Sequence, residues 1–301
     1  MASLANIEPG RTTLGAEAEA AAAAALAWPP TVGVSWCDEG ASAPRRAKLL
    51  IVGVRGAGSL FCRCAMAKAR VVGGVSLGAA VEATTTWPAT LADAAPAAPN
   101  ARGAGWTCVI AEPTPGVLVI VGCHAIEASD GHCLWSAIAR ALVAERVVVF
   151  DAQHVGTFAA APGVPRSAIH CIATDALRAA AAAAAAEQTS LAYRAARPIC
   201  PLLRCPNALI GFAATVLTRA QASGVPAAAF VALQSQPTGR LAPPDAPATA
   251  AFAPALRQAV LAVADDADPP WCVVDEEGIK ARYLETVGSV APTASCSHLY
   301  S

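Results

Sequence analysis

Charged side chains are scarce in this chain of 301 residues: they make up 14% of it, against about 25% in an ordinary domain. The formal net charge is -1. The sequence therefore offers neither a basic surface for nucleic acid nor an acidic tail, and no nucleic-acid partner is expected. A surface this poor in charge is less soluble when bare, so a permanent partner covering part of it is one explanation. A genome biased toward alanine, proline and glycine is the other.

Long uncharged apolar runs are also missing. Alanine inflates the hydrophobic fraction of 55%, and no stretch of about 20 residues has the character of a membrane span. The N-terminal region lacks the basic start of a signal peptide, and Glu8, Glu17 and Glu19 argue against an organelle transit peptide. We therefore expect no membrane association and a location in the cytoplasm or the nucleus.

Metal-binding patterns are absent among the 11 cysteines. The chain has no Cys-x-x-Cys pair. Cys62 and Cys64 are two residues apart and Cys123 precedes His124, but no second pair follows at the spacing of metal ligands. The odd number and the missing secretory signal favour reduced thiols, and neither a metal nor another cofactor is expected.

What the sequence does contain is an alternation of strands and helices. Apolar, β-branched segments predict strands at 31–36, 48–54, 70–77, 106–111, 117–122, 146–151, 168–173 and 227–233. Helices are predicted at 59–67, 132–144, 174–187, 208–222, 252–264 and from 275, with Gly288 at the C-cap of the last. Since Pro113–Gly116 predicts a hairpin, the expected fold is α/β, a single-domain three-layer αβα sandwich with a central mixed, largely parallel sheet.

The expected domain organisation has three parts. Residues 1–30 form an alanine-rich N-terminal tail, residues 31–288 form the α/β domain, and residues 289–301 form a flexible C-terminal tail. Within the domain, the small and polar residues at 84–105 and the prolines at 235–249 predict surface loops.

Two glycine patterns suggest chemistry. Gly74–Gly78 fits G-x-S-x-G, the turn that holds the nucleophilic serine of an α/β hydrolase, and Asp151, His154 and His170 follow in the required order. A serine hydrolase using Ser76 is thus an alternative function, although the threonines that follow are poor helix formers. Strand-end turn chemistry explains the same pattern.

The second pattern is Gly53–Gly58, which follows a predicted strand. Its spacing, G-x-x-G-x-G, differs from that of dinucleotide-binding loops. We interpret it as a turn that lets a helix pack close to the sheet. A nucleotide-binding protein of phosphorylase-like fold is a third, weaker option. The histidines near the strands are interpreted as structural groups or caps.

The most specific internal feature is residues 198–234, a loop with two cysteines followed by a helix and a buried strand. The chain ends in Leu299, Tyr300 and Ser301, a terminus of the form hydrophobic-Tyr-x. An extended segment of about ten residues precedes it, and this segment spans at most about 33 Å. Such an end suits capture of a C-terminal carboxylate by a partner.

Together these two features resemble the proteasome assembly chaperone 1 family. Weaker similarities lie at 48–58 and 146–155. The resemblance implies a non-enzymatic scaffold that forms a heterodimer with a second assembly chaperone and binds the outer face of the proteasome α-ring. It also implies that this pair promotes ring assembly and blocks premature binding of regulators. By the same resemblance, Leu299, Tyr300 and Ser301 are the partner-binding residues, seated in a pocket between α subunits whose lysine pairs with the terminal carboxylate.

Overall fold

The chain is described by a computed structural model that covers residues 32–38, 43–54, 56–77, 87–94, 106–123, 126, 128–159, 169–186, 200–234, 245–261 and 276–289. The strands of this described part are β1 (Val32–Trp36), β2 (Arg45–Ala47), β3 (Leu49–Gly53), β4 (Arg70–Leu77), β5 (Cys108–Thr114), β6 (Val117–Gly122), β7 (Leu142–Ala144), β8 (Val147–His154), β9 (Ile169–Ala173) and β10 (Ala227–Gln234). Its helices are α1 (Ala57–Ala65), α2 (Ala128–Ala141), α3 (Asp175–Ala186), α4 (Gly211–Ala222), α5 (Ala246–Ala250), α6 (Ala253–Leu261) and α7 (Glu276–Ser289).

Eight strands form one mixed sheet in the order β1-β4-β5-β6-β3-β8-β10-β9. The four central strands, β6, β3, β8 and β10, are parallel. Antiparallel pairs flank them, with β5, β4 and β1 on one side and β9 on the other. The predicted α/β class and the hairpin between β5 and β6 are confirmed.

Helices cover both faces of this sheet, because its strands alternate apolar side chains toward two separate cores. One core packs the sheet against α1, α5, α6 and α7 and is centred on Phe61, Phe150 and Phe252, whose rings lie 5.0 to 5.4 Å apart. The other core packs the sheet against α2 and α4, through residues such as Leu134 and Phe212. The molecule is thus the expected three-layer αβα sandwich.

Several local predictions are wrong. Residues 87–94, predicted as part of a surface loop, pack against the sheet: Leu91 is fully buried, and Thr90 pairs with Arg70 of β4. The end of the predicted helix 132–144 is instead β7, which pairs with β2 in a small parallel sheet. Helix α5 lies in the predicted proline-rich loop, where Asp245 and a proline in the first turn start it. Gly288 lies inside the last turn of α7 rather than after it.

Candidate functional site

Ser76 does not stand on a nucleophile elbow, which corrects the hydrolase alternative. It lies within β4, paired with Gly33 of β1, and its side chain is 4% exposed. An elbow requires a sharp turn at the end of a strand, with the serine above the sheet. Here the strand continues to Leu77 and is paired on both sides.

The glycines of this stretch have a packing role. A Cβ added to Gly74 would lie 2.5 Å from the ring of Trp106, and one added to Gly73 would lie 2.7 Å from the ring of Trp36. Both distances are shorter than any van der Waals contact. The adjacent glycines Gly73 and Gly74 therefore make room for two indole rings, which accounts for the first glycine of the pattern without catalysis.

The supposed partners of Ser76 are also remote from it. Asp151 lies on β8, four strands away across the sheet, which corresponds to about 19 Å. Side chains alternate along a strand, so Ser76 faces the core of α1, whereas Asp151 and His170 face the core of α2 and α4. His154 caps a short 3-10 turn, because its Nδ1 accepts a bond of 3.0 Å from the amide of Gly156. The described residues thus contain no Ser76 triad, and His154 has the structural role that we predicted.

Asp151 is nevertheless an unusual group. It is 7% exposed near the carboxyl end of β8, and burial in an apolar environment raises the pKa of its carboxyl to about 7. The register Asp151–Val231–His170 runs across β8, β10 and β9. This places the acid and the imidazole two strands apart, about 10 Å, beyond hydrogen-bonding distance. Asp151 is a buried acid of the core rather than half of a catalytic pair.

The glycine turn after β3 is filled by the protein itself. Gly58 packs so closely on β8 that an added Cβ would lie 2.0 Å from the carbonyl oxygen of Phe150. At Gly53 it would lie 2.7 Å from the sulfur of Cys62. The hydroxyl of Ser59 donates a hydrogen bond of 2.9 Å to the carbonyl of Gly122 at the end of β6. This bond ties the start of α1 to the carboxyl ends of the parallel strands, where α/β proteins bind ligands. The predicted role of the turn in close helix packing is confirmed.

Cysteines and acids form no metal centre in the described residues, where no three side chains of histidine, cysteine, aspartate and glutamate converge. Cys200 is buried and Cys205 is exposed. The described helices include none that is long and apolar enough to cross a bilayer.

The segment 200–210 carries two of the large apolar side chains that are exposed in the described part of the chain. Leu202 is 51% exposed and Ile210 is 67% exposed. Hydrogen bonds hold the segment in place. The side chain of Asn207 accepts a bond of 2.7 Å from the amide of Ala159 and donates one of 2.9 Å to its carbonyl. The side chain of Gln153 donates a bond of 2.9 Å to the carbonyl of Ala208. The signal for it in the sequence is the run of prolines and apolar residues within the predicted loop.

The sequence-predicted partner-binding residues, Leu299, Tyr300 and Ser301, lie outside the described residues, as do residues 1–30. The structure does describe the helix that precedes the tail. Helix α7 is held by Ile279, which is fully buried, and by Tyr283. The side chain of Arg282 donates a hydrogen bond of 2.9 Å to the carbonyl of Cys64 at the end of α1. The tail therefore starts from an element docked on the domain.

Comparison with known proteins identifies a fold. No protein-family model matches the sequence, and no curated protein matches it. Among solved structures, the chain is similar to PbaA of Pyrococcus furiosus, an archaeal homologue of a proteasome-assembly chaperone, with a TM-score of 0.52 and 11% identity over 86% of this chain and 89% of that chain. PbaB, a proteasome activator of the same archaeon, gives a TM-score of 0.48 with 10% identity over 86% and 97%. The proteasome-assembly chaperone homologue Rv2125 of Mycobacterium tuberculosis gives 0.41 with 16% identity over 82% and 97%. The similarity to PbaA shows that this chain shares its fold.

Proposed function

We propose that this protein is a non-enzymatic assembly chaperone of the proteasome, which pairs with a second chaperone of similar fold and binds the outer face of the α-ring. The observation that carries the proposal is the shared fold with PbaA across 86% of the chain. The resemblance of residues 198–234 and of the C-terminus to the chaperone family supports it independently. The lack of a Ser76 triad removes the reason for proposing an esterase or peptidase.

In this proposal, the tail binds and the folded body positions it. The 12 residues that follow Ser289 reach at most about 40 Å when extended. The carboxylate of Ser301 then pairs with a lysine of an α subunit, Tyr300 fills the groove between neighbouring subunits, and Leu299 adds apolar contact. The bound chaperone promotes ring assembly and keeps regulators off the same pockets.

The tail contributes only part of the affinity. A charge-assisted hydrogen bond contributes about 1.5–3 kcal/mol, and burial of one leucine about 1.5–3 kcal/mol. Ordering the tail costs conformational entropy, which offsets part of this binding free energy. A body held on the ring by the heterodimer raises the effective concentration of the tail, so neither part alone binds tightly.

The test is capture of immature core particles by the full chain, by a variant lacking Leu299–Ser301, and by a chain whose carboxylate is blocked by a C-terminal extension. We expect both changed chains to bind α-rings at least tenfold more weakly, while their melting temperatures and pairing with the second chaperone stay unchanged. Tyr300→Phe is the matched control for Tyr300→Ala, because it keeps the ring and removes the hydroxyl. Unaltered binding of both changed chains would refute the role of the tail. Absence of α subunits and of a second chaperone from the material captured by the full chain would refute the whole proposal.

A further inference from the structure

Segment 200–210 extends the main sheet at its β9 edge. The amide of Cys171 donates a hydrogen bond of 2.9 Å to the carbonyl of Pro201, and the amide of Leu203 donates one of 2.7 Å to the carbonyl of Cys171. These two bonds form a parallel bridge in which Leu202 is the partner of Cys171. A short stretch of chain is thus paired alongside β9 and leads directly into the exposed surface around Ile210.

Two cysteine thiols meet at this junction. The thiol of Cys171 donates a weak hydrogen bond of 3.7 Å to the carbonyl oxygen of Cys200, and the two thiols lie within hydrogen-bonding reach of each other. Cys171 is 9% exposed and Cys200 is 8% exposed. The pair therefore lies just below the surface.

The two thiols differ in acidity from the other buried cysteines. Burial raises the pKa of Cys62 and of Cys108, as expected for thiols in an apolar core. The hydrogen bond from Cys200 instead lowers the pKa of Cys171, and the same bond raises the pKa of Cys200, which keeps its proton. A thiol with a lowered pKa beside a thiol with a raised pKa has the arrangement of an attacking and a resolving cysteine.

We propose that Cys171 and Cys200 form a reversible disulfide when the protein meets a peroxide. The thiolate of Cys171 attacks one peroxide oxygen, the O–O bond breaks, and the departing hydroxide takes up a proton to become water. Cys171 is then a sulfenic acid. The sulfur of Cys200 attacks the sulfur of Cys171, the S–O bond breaks, and the hydroxide leaves with the Cys200 proton as a second water. Two thiols have lost two electrons, and the peroxide has gained them.

The disulfide would tie the segment at 200–210 to β9 by a covalent bond in addition to its hydrogen bonds. Since Leu202 and Ile210 lie on this segment, oxidation would add a covalent bond to the contacts that already hold these two exposed apolar side chains in place. The inference does not depend on the proposed function, because it concerns only contacts within this chain.

The full chain offers a direct test. Trypsin releases Cys171 in residues 167–178 and Cys200 in residues 195–204, and each of these peptides contains a single cysteine. After treatment with hydrogen peroxide, alkylation of remaining thiols and digestion without reductant, mass spectrometry should detect the two peptides joined, with two hydrogens lost. Treatment with dithiothreitol should restore both. Oxidation should also raise the melting temperature by about 5 °C, since the bond closes a loop of the unfolded chain.

Matched variants separate this pair from general thiol oxidation. Cys205→Ser removes an exposed thiol of the same segment and should leave the joined peptides unchanged. Cys200→Ser should abolish them and leave Cys171 as a sulfenic acid that a dimedone probe labels. The proposal is overturned if the wild-type chain keeps both peptides separate at a peroxide concentration that fully oxidises Cys205. It is equally overturned if Cys171 joins a cysteine other than Cys200. Mapping of the wild-type chain decides the matter even if a variant does not fold.

Discussion

Replacement of Gly58 by alanine tests the contact between α1 and β8. The added Cβ would lie 2.0 Å from the oxygen and 2.6 Å from the carbon of the Phe150 carbonyl. Because this obstacle is backbone in the middle of the sheet, it cannot rotate away as a side chain would. Helix α1 must retreat by about 1.4 Å, the difference between 2.0 Å and the 3.4 Å at which ordinary van der Waals contact begins.

The cost follows from what α1 carries. Phe61 packs edge-on against Phe150 at 5.0 Å and against Phe252 at 5.4 Å, and Ser59 bonds to Gly122 at 2.9 Å. Overpacking a filled core costs about 1–3 kcal/mol, and a backbone clash belongs at the upper end. Alanine regains at most about 1 kcal/mol through its helix propensity. We therefore expect Gly58→Ala to lower the free energy of unfolding by about 2 kcal/mol.

Urea denaturation followed by tryptophan fluorescence measures this change, with Gly131→Ala as the matched control. Gly131 also lies in a helix, but a Cβ there would lie 3.2 Å from the hydroxyl of Thr215 and at least 3.6 Å from atoms of Phe212. That variant should stay within about 1 kcal/mol of the wild type, because the small strain offsets the gain in propensity. Equal stability of the two variants would refute the close approach of α1 to β8. It would also reopen the interpretation of the glycine turn as a ligand loop.

Three further predictions concern other parts of the molecule. The raised pKa of Asp151, about 7, means that the folded chain holds a proton that the unfolded chain releases from about pH 4. The free energy of unfolding should therefore decline as the pH rises from 4 to 7, by at most about 4 kcal/mol from this group. Urea titrations at several pH values should show a flatter pH profile for Asp151→Asn than for the wild type. An equal dependence of stability on pH in both chains would contradict the burial of this carboxyl. Ile279→Ala removes a fully buried side chain of α7 and should lower the free energy of unfolding by about 2–5 kcal/mol. Leu284→Ala, at a position that is 70% exposed, should change it by less than about 0.5 kcal/mol. Equal effects of the two variants would show that α7 packs on the domain through another face. Ser76 should not react with a fluorophosphonate probe, because it is buried within β4, and labelling lost in Ser76→Ala would restore the hydrolase alternative.

The sequence is sufficient for the regular elements whose apolar pattern is local. Strand β4 has the predicted bounds, and β3 and β10 differ from prediction by a residue or two at their ends, since each is an unbroken apolar run flanked by turn residues. The predicted start of α4 is three residues early, because Ala208 bonds to Gln153 of β8 instead of joining the helix. That bond joins positions 55 residues apart, and no local propensity encodes it.

The missed features all depend on distant partners. Leu91 is a single leucine among alanines and prolines, and its burial is decided by the backbone of Ala69, which accepts a bond of 2.9 Å from its amide. The pairing of Leu202 with β9 is equally invisible in a run of prolines and cysteines. The hydrolase alternative for Ser76 finds no support for a related reason. The five-residue pattern describes a turn, whereas the space beside Gly73 and Gly74 is filled by Trp36 of β1 and by Trp106, two residues before β5. The predicted role of the tail, Leu299–Ser301, is tested by the binding of the chain to α-rings.

The place of β10 between β8 and β9 affects how the chain folds during synthesis. Strands β8 and β9 are made first, yet they do not pair with each other, because β10, about 55 residues after β9, lies between them. Until Gln234 has left the ribosome, the edge of β8 and all of β9 lack their neighbour. An uncovered apolar edge such as Val147–Phe150 recruits strands from other chains. We therefore expect a nascent or truncated chain that ends before β10 to expose this edge, and the parallel core to be completed only late in translation.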